Sequence, residues 1–117
     1  MNIAVIADDF TGANANGALL TAKGFSSATC LGLDKWDPQY FSAFTAVSLN
    51  AESRLLSRQK AWDAVYAAVK MFCAEKPALV SKRVDSTLRG NVGAEIDALM
   101  GGFGFTTAFL TPAYPKQ

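Results

Sequence analysis

The run Ile3-Ala4-Val5-Ile6-Ala7-Asp8-Asp9-Phe10-Thr11-Gly12 opens with five apolar residues and then turns abruptly polar. A short, continuous apolar run rich in β-branched residues predicts a strand buried on both faces, as in the interior of a parallel sheet. The next residues suit that setting. Thr11 is a candidate N-cap for a helix of small residues running to about Lys23, with Gly24 placed to stop it.

The same alternation repeats further along. Residues 27–33 and 43–49 predict a second and a third strand, joined by residues 34–42, a connection or short helical turn containing Pro38. Ser53 or Ser57 then caps a long helix in which Trp62, Val65, Tyr66, Val69, Phe72 and Cys73 keep helical spacing, ended by Lys76-Pro77. Residues 79–84 predict a fourth strand. Asn91 is placed to cap a helix carrying Val92, Ile96, Leu99 and Met100 and stopped by Gly101-Gly102, and residues 106–110 predict a fifth strand before Pro112. The expected fold is α/β: a doubly wound, mostly parallel five-stranded sheet with helices on both faces, a Rossmann-like three-layer sandwich.

Length and composition bound the rest. The 117 residues, half of them hydrophobic, are one domain with enough apolar side chains for a core. A net charge of +1 excludes a polybasic nucleic-acid module and an acidic tail. The absence of histidine removes Ser-His-Asp and Cys-His catalysis and most zinc sites. Cys30 and Cys73 are far apart, each within apolar sequence, and read as free thiols in a reducing compartment. The N-terminus has no basic region, acids arrive before a signal-length apolar stretch, and no apolar run could span a bilayer. A soluble, cytoplasmic chain is expected.

In doubly wound sheets, ligands bind outside the C-terminal ends of the strands. Three polar loops fall there: Asp8 to Gly12, Asn50-Ala51-Glu52-Ser53-Arg54, and Asp85-Ser86-Thr87-Leu88-Arg89-Gly90-Asn91. Known phosphate motifs do not account for them. Gly12 and Gly17 have P-loop spacing, but Ala18-Leu19 stand where Lys and Ser/Thr are required. Gly102-Phe103-Gly104 lacks the third glycine of a dinucleotide fingerprint and precedes a strand. An alternative is a receiver-like regulatory domain or a free-standing binding module. A receiver has an acidic pair after strand one, but it needs a phosphoacceptor Asp where this chain has Asn50, and Lys116 is only roughly in the place of its lysine.

The loop strings Ala7-Asp8-Asp9-Phe10-Thr11-Gly12-Ala13 and Lys82-Arg83-Val84-Asp85-Ser86-Thr87-Leu88-Arg89-Gly90-Asn91 resemble the N-terminal, sugar-binding domain of the four-carbon acid sugar kinase family. Asn50 to Arg54 is similar to that family's third loop, and Thr111-Pro112-Ala113-Tyr114-Pro115 to its fourth. The resemblance implies a two-domain kinase whose N-terminal part holds threonate, erythronate or a 3-oxo-tetronate, and whose C-terminal domain binds ATP and Mg2+. The chain stops at Pro115-Lys116-Gln117, where the family continues with Gly-Arg, so residues 1–117 read as the N-terminal part of such a kinase, inactive alone. Ala15 departs from a family pattern that carries Asp.

The implied partner is a small-molecule sugar acid, with no nucleic acid, no membrane and room for a homo-oligomer. Its carboxylate calls for a guanidinium or ammonium, and its hydroxyls for carboxylate acceptors. The expected substrate-binding residues are Asp8, Arg54, Lys82, Asp85, Ser86, Arg89 and Asn91. Asp9 is the expected catalytic base, since a chain without histidine turns to a carboxylate, and no metal ligand is expected. Lys82 and Arg83 would point to opposite faces of their strand, and the family pattern favours Lys82 as the one facing the site.

Overall fold

The computed structural model describes residues 1–112. Strands β1 (Ile3–Ala7), β2 (Ser27–Cys30), β3 (Ala46–Asn50) and β4 (Leu79–Arg83) form one parallel sheet in the order β2-β3-β1-β4. Helices α1 (Phe10–Ala22), α2 (Pro38–Phe41), α3 (Arg58–Cys73) and α4 (Val92–Phe103) connect them, with a 3₁₀ turn at Leu33–Lys35. The inner strand β3 is buried throughout, and β1 is buried from Ala4 onward. The outer strand β4 alternates between exposed and half-buried.

Helices cover both faces, as the alternation implies. Ala4, Ile6, Val47, Leu49 and Cys30 share one face of the sheet and join Val65, Val69 and Phe72 of α3 and Ala98 and Leu99 of α4 in a single core. The opposite face meets α1, where the Ser48 hydroxyl donates to the Ala13 carbonyl at 2.8 Å. That helix lies close because its inner residues are small: a Cβ on Gly17 would sit 2.3 Å from Thr29 Oγ1.

Several expectations change. Among the described residues the sheet has four strands: residues 106–110 carry no strand pairing. Gly104, at φ 72°, ends α4, the Phe105 amide closes back on the Met100 carbonyl, and Phe105 stacks on Phe103. Residues 107–110 then line a cavity of about 420 Å3 together with Leu79 and Val80, with Phe109 98% exposed and no strand assigned. Gly101 and Gly102 lie inside α4 and do not stop it. Gly102 packs against α3, where a Cβ would come within 2.3 Å of Val69 Cγ1. The N-cap of α1 is Asp9, which accepts from the Gly12 amide at 2.7 Å, and Thr11 lies in the first turn.

The strand order also bears on the receiver alternative, whose sheet runs 2-1-3-4-5. Here β3 separates β2 from β1. Residues 113–117, including Lys116 and the end of the Thr111 string, lie outside the described residues.

Gly102→Ala is expected to destabilise the fold. Crowding against the fully buried Val69 costs about 1–3 kcal/mol, more than the up to about 1 kcal/mol that alanine gains in helix propensity. A lowered melting temperature is the check.

Candidate functional site

The three polar loops converge at the C-terminal edge of the sheet. The chain leaves β1 toward α1 on one face and leaves β3 and β4 toward α3 and α4 on the other. The resulting crevice lies where open α/β sheets place their ligands.

Arg54 is the centre of this edge. Its Nε donates to Asp8 Oδ2 at 2.9 Å and its Nη2 to Asp8 Oδ1 at 3.2 Å, a two-pronged pair across 46 residues. Its Nη1 lies 3.0 Å from Asp9 Oδ2, and Nη2 lies 3.8 Å from Asp85 Oδ1. One guanidinium thus ties all three loops together. The backbone reinforces the arrangement, since the Ser53 and Arg54 amides both donate to the Asp8 carbonyl. The bond to Asp8, with the charges of Asp8, Asp9 and Asp85, holds the Arg54 guanidinium above its ordinary pKa.

The loop after β3 is aimed by Asn50, which is buried. Its Oδ1 accepts from the Glu52 amide, and its Nδ2 donates to the Leu31 carbonyl and to Glu52 Oε2. These bonds hold Glu52 in the left-handed region at φ 51°, uncommon for a residue with a Cβ.

Asp85 organises the loop after β4. Its Oδ2 accepts from the Thr87 amide and hydroxyl and from the Arg89 amide and Nε, while Oδ1 accepts from Arg89 Nη2 at 2.9 Å. Arg89, then Thr87, hold the Asp85 carboxyl far below the usual carboxylate range. Gly90 turns at φ 89° against Arg54, where a Cβ would touch the arginine at 3.4–3.5 Å.

A depressed carboxylate stabilises the fold above its unfolded pKa and loses that contribution as pH falls through the lower folded value. Because Asp85 is depressed, stability is expected to drop from about pH 5 downward and to keep dropping below the normal carboxylate range. Denaturant titrations across that range check this, and Asp85→Asn is expected to flatten the acid limb.

Not every expected site residue joins the cluster. Lys82 lies on the α4 face, with its side chain only 6% exposed, and its Nζ pairs with Glu95 Oε2 at 2.7 Å. The Arg83 carbonyl accepts a second bond from it. The strand parity anticipated in the sequence is observed, and Arg83 is the member turned to the α1 face. Its stem crosses Gly12, where a Cβ would sit 3.1 Å from Arg83 Cγ and 2.7 Å from Asp9 Oδ1. Sequence reasoning passed over Arg83. Alternation separates the two basic residues but does not say which face carries the site.

Asn91 occupies the N-cap position of α4, yet its side chain donates to the Leu56 carbonyl. Ser86 is exposed beside Asp85. Arg89 reaches Asp85 with both prongs of its fork and is otherwise 67% exposed. Trp36 and Trp62 pack, on Phe41 and Tyr66 respectively. A concavity of about 690 Å3 opens beside α3 and α4 at Arg58, Trp62 and Asp97, and none of the loop carboxylates lines it. The edge does not fit a magnesium ion: the described residues hold no cluster of three potential ligands, and arginines already neutralise the carboxylates. No helix is long and apolar enough to cross a membrane among the described residues.

Comparison with known proteins bears on this geometry. Residues 3–117 match the family model described as sugar-binding N-terminal domain. The chain is 41% identical over 117 residues to a D-erythronate kinase of Heliobacterium modesticaldum, covering 99% of this chain. It is 39% identical over 116 residues to a D-threonate kinase of Salmonella typhimurium, covering 98%, and 31% identical over 120 residues to a 3-oxo-tetronate kinase of Pectobacterium atrosepticum, also covering 98%. It spans only 27–28% of the length of these relatives. A crystal structure from Bordetella bronchiseptica, described as a domain of unknown function with bound citrate in a domain-swapped dimer, superposes with a TM-score of 0.79 at 29% identity. That match covers 87% of this chain and 26% of the other.

Proposed function

Because the chain belongs to the family of sugar-binding N-terminal domains, we propose that residues 1–117 are the substrate-binding part of an ATP-dependent kinase. Its substrate is a four-carbon sugar acid of the erythronate, threonate or 3-oxo-tetronate kind, phosphorylated on the terminal hydroxyl. The observation that carries the reading is the Arg54 bridge, which gathers Asp8, Asp9 and Asp85 from three loops at the ligand-binding edge of the sheet.

A carboxylate has about four lone-pair sites, so one that accepts a single bond on each oxygen keeps acceptor capacity for hydroxyl donors. Asp8 and Asp9 therefore suit the hydroxyls of a polyhydroxy acid, whereas Asp85, which already accepts five bonds, shapes the loop that carries Ser86 and Arg89 at the rim. Asp9 takes the proton of the attacking hydroxyl as its oxygen bonds to the γ-phosphorus and the bond from that phosphorus to ADP breaks. ATP and Mg2+ are held by parts of the protein beyond residues 1–117, which fits the missing P-loop lysine. Phosphoryl transfer relies mainly on positioning and charge neutralisation. This chain's share is the positioning of the acceptor, in a protein soluble in the cytoplasm.

The test is ADP release from the full-length protein with ATP, magnesium and a panel of four-carbon sugar acids. Turnover of about 1 per second or more is expected on at least one of them, and none from residues 1–117 alone. Failure of the full-length protein on the entire panel would overturn the reading.

A further inference from the structure

Five basic side chains stand at or near the C-terminal edge: Arg54, Arg58, Lys82, Arg83 and Arg89. Three of them are already paired. Arg54 holds Asp8 and Asp9, Lys82 is buried against Glu95, and Arg89 forks onto Asp85. Arg83 forms no side-chain ion pair among the described residues and is exposed.

Resting on the reading of the site as a sugar-acid site, we propose that Arg83 receives the substrate carboxylate and so selects for acids over neutral sugars. A carboxylate entering among Asp8, Asp9 and Asp85 meets like charge and needs a cation. Taking Arg54 from Asp8, which is 3% exposed, would strand a buried charge, and such breaks are strongly unfavourable. Taking Lys82 from the 2% exposed Glu95 has the same consequence. Removing Arg89 undoes the loop that Asp85 organises. Arg83 accepts a new anion without breaking an existing pair. Arg58, which also forms no ion pair among the described residues, opens instead on a separate concavity beside Gly90 and Asn91 at the start of α4.

Its position supports the role. Ala7 and Arg83 are register partners on β1 and β4, so Arg83 stands beside the strand end that leads into Asp8 and Asp9. The bare Cα of Gly12 lets its stem lie flat across the first turn of α1, with Nε 3.7 Å from where a Cβ would be. A planar guanidinium there offers a carboxylate two parallel bonds.

The experiment is steady-state kinetics of the full-length protein with D-erythronate and ATP. Arg83→Gln is expected to raise KM for D-erythronate about tenfold or more, the scale of one lost charge-assisted pair. The KM for ATP, the kcat at saturation and the melting temperature should stay at wild-type values. Arg83→Lys should recover only part, because ammonium keeps the charge but not the fork. An unchanged KM for D-erythronate in an active Arg83→Gln enzyme overturns this inference and leaves the kinase reading intact. A rise in KM for ATP in place of that for D-erythronate also overturns it, by assigning Arg83 to phosphate. If the wild-type protein phosphorylates no four-carbon sugar acid, both readings fall.

Discussion

Arg54→Ala is expected to lower stability by about 3–5 kcal/mol, the scale for breaking a buried ion pair from one side. The reason lies in what remains. Asp8 is nearly inaccessible to water, and its carboxylate would lose both prongs of its pair. Asp9 and Asp85 would then face it without the shared cation. With domains typically only about 5–15 kcal/mol stable, such a loss brings the fold near its limit. Denaturant melts provide the number. Adding Asp8→Asn to Arg54→Ala should recover part of the loss, since the stranded charge is gone. If the double variant is no more stable than Arg54→Ala, the penalty comes from lost packing of the arginine stem.

The second large effect concerns Asp9, which does two jobs separable by substitution. Oδ1 caps α1 through the Gly12 amide, and Oδ2 faces Arg54. Asn and Ser are also good N-caps. Asp9→Asn and Asp9→Ser should therefore stay folded while losing the group proposed to take the hydroxyl proton. In the full-length protein, kcat is expected to fall by about 10²–10⁴, the usual contribution of a general base. A kcat within a few-fold of wild type in both variants would reduce Asp9 to a capping residue.

The strands were legible because each is a short apolar run bounded by turn chemistry, and β1 through β4 lie within a few residues of where those runs predict. Their order was not. Nothing local says that β3 pairs with β1 while β2 lies outside it, because that choice is made by which faces bury together. Capping had the same ambiguity on a smaller scale. Asp9 and Thr11 are both capping types, and the Asp9–Gly12 bond selects between them. Gly101-Gly102 read as a stop because glycine weakens helices, whereas Gly102 is there to let Val69 approach. Residues 106–110 have strand composition, but composition supplies no partner, and among the described residues β4 pairs only with β1.

In the site, the loops and their charges were visible, and the pairings were not. Asp8 with Arg54 and Lys82 with Glu95 are long-range choices. The fork of Arg89 on Asp85 is local, an i,i+4 contact.

The 46-residue span between Asp8 and Arg54 has a kinetic meaning. Closing so long a loop costs entropy before any contact in it is made, and non-local contacts slow folding for that reason. A chain caught with only β1 and α1 formed has Asp8 and Asp9 but nothing to gather them. A chain with β3 docked and β4 still free has Arg54 on Asp8 and Asp9 but lacks the Asp85 arm. The three-loop cluster is therefore complete only when both β3 and β4 have joined β1.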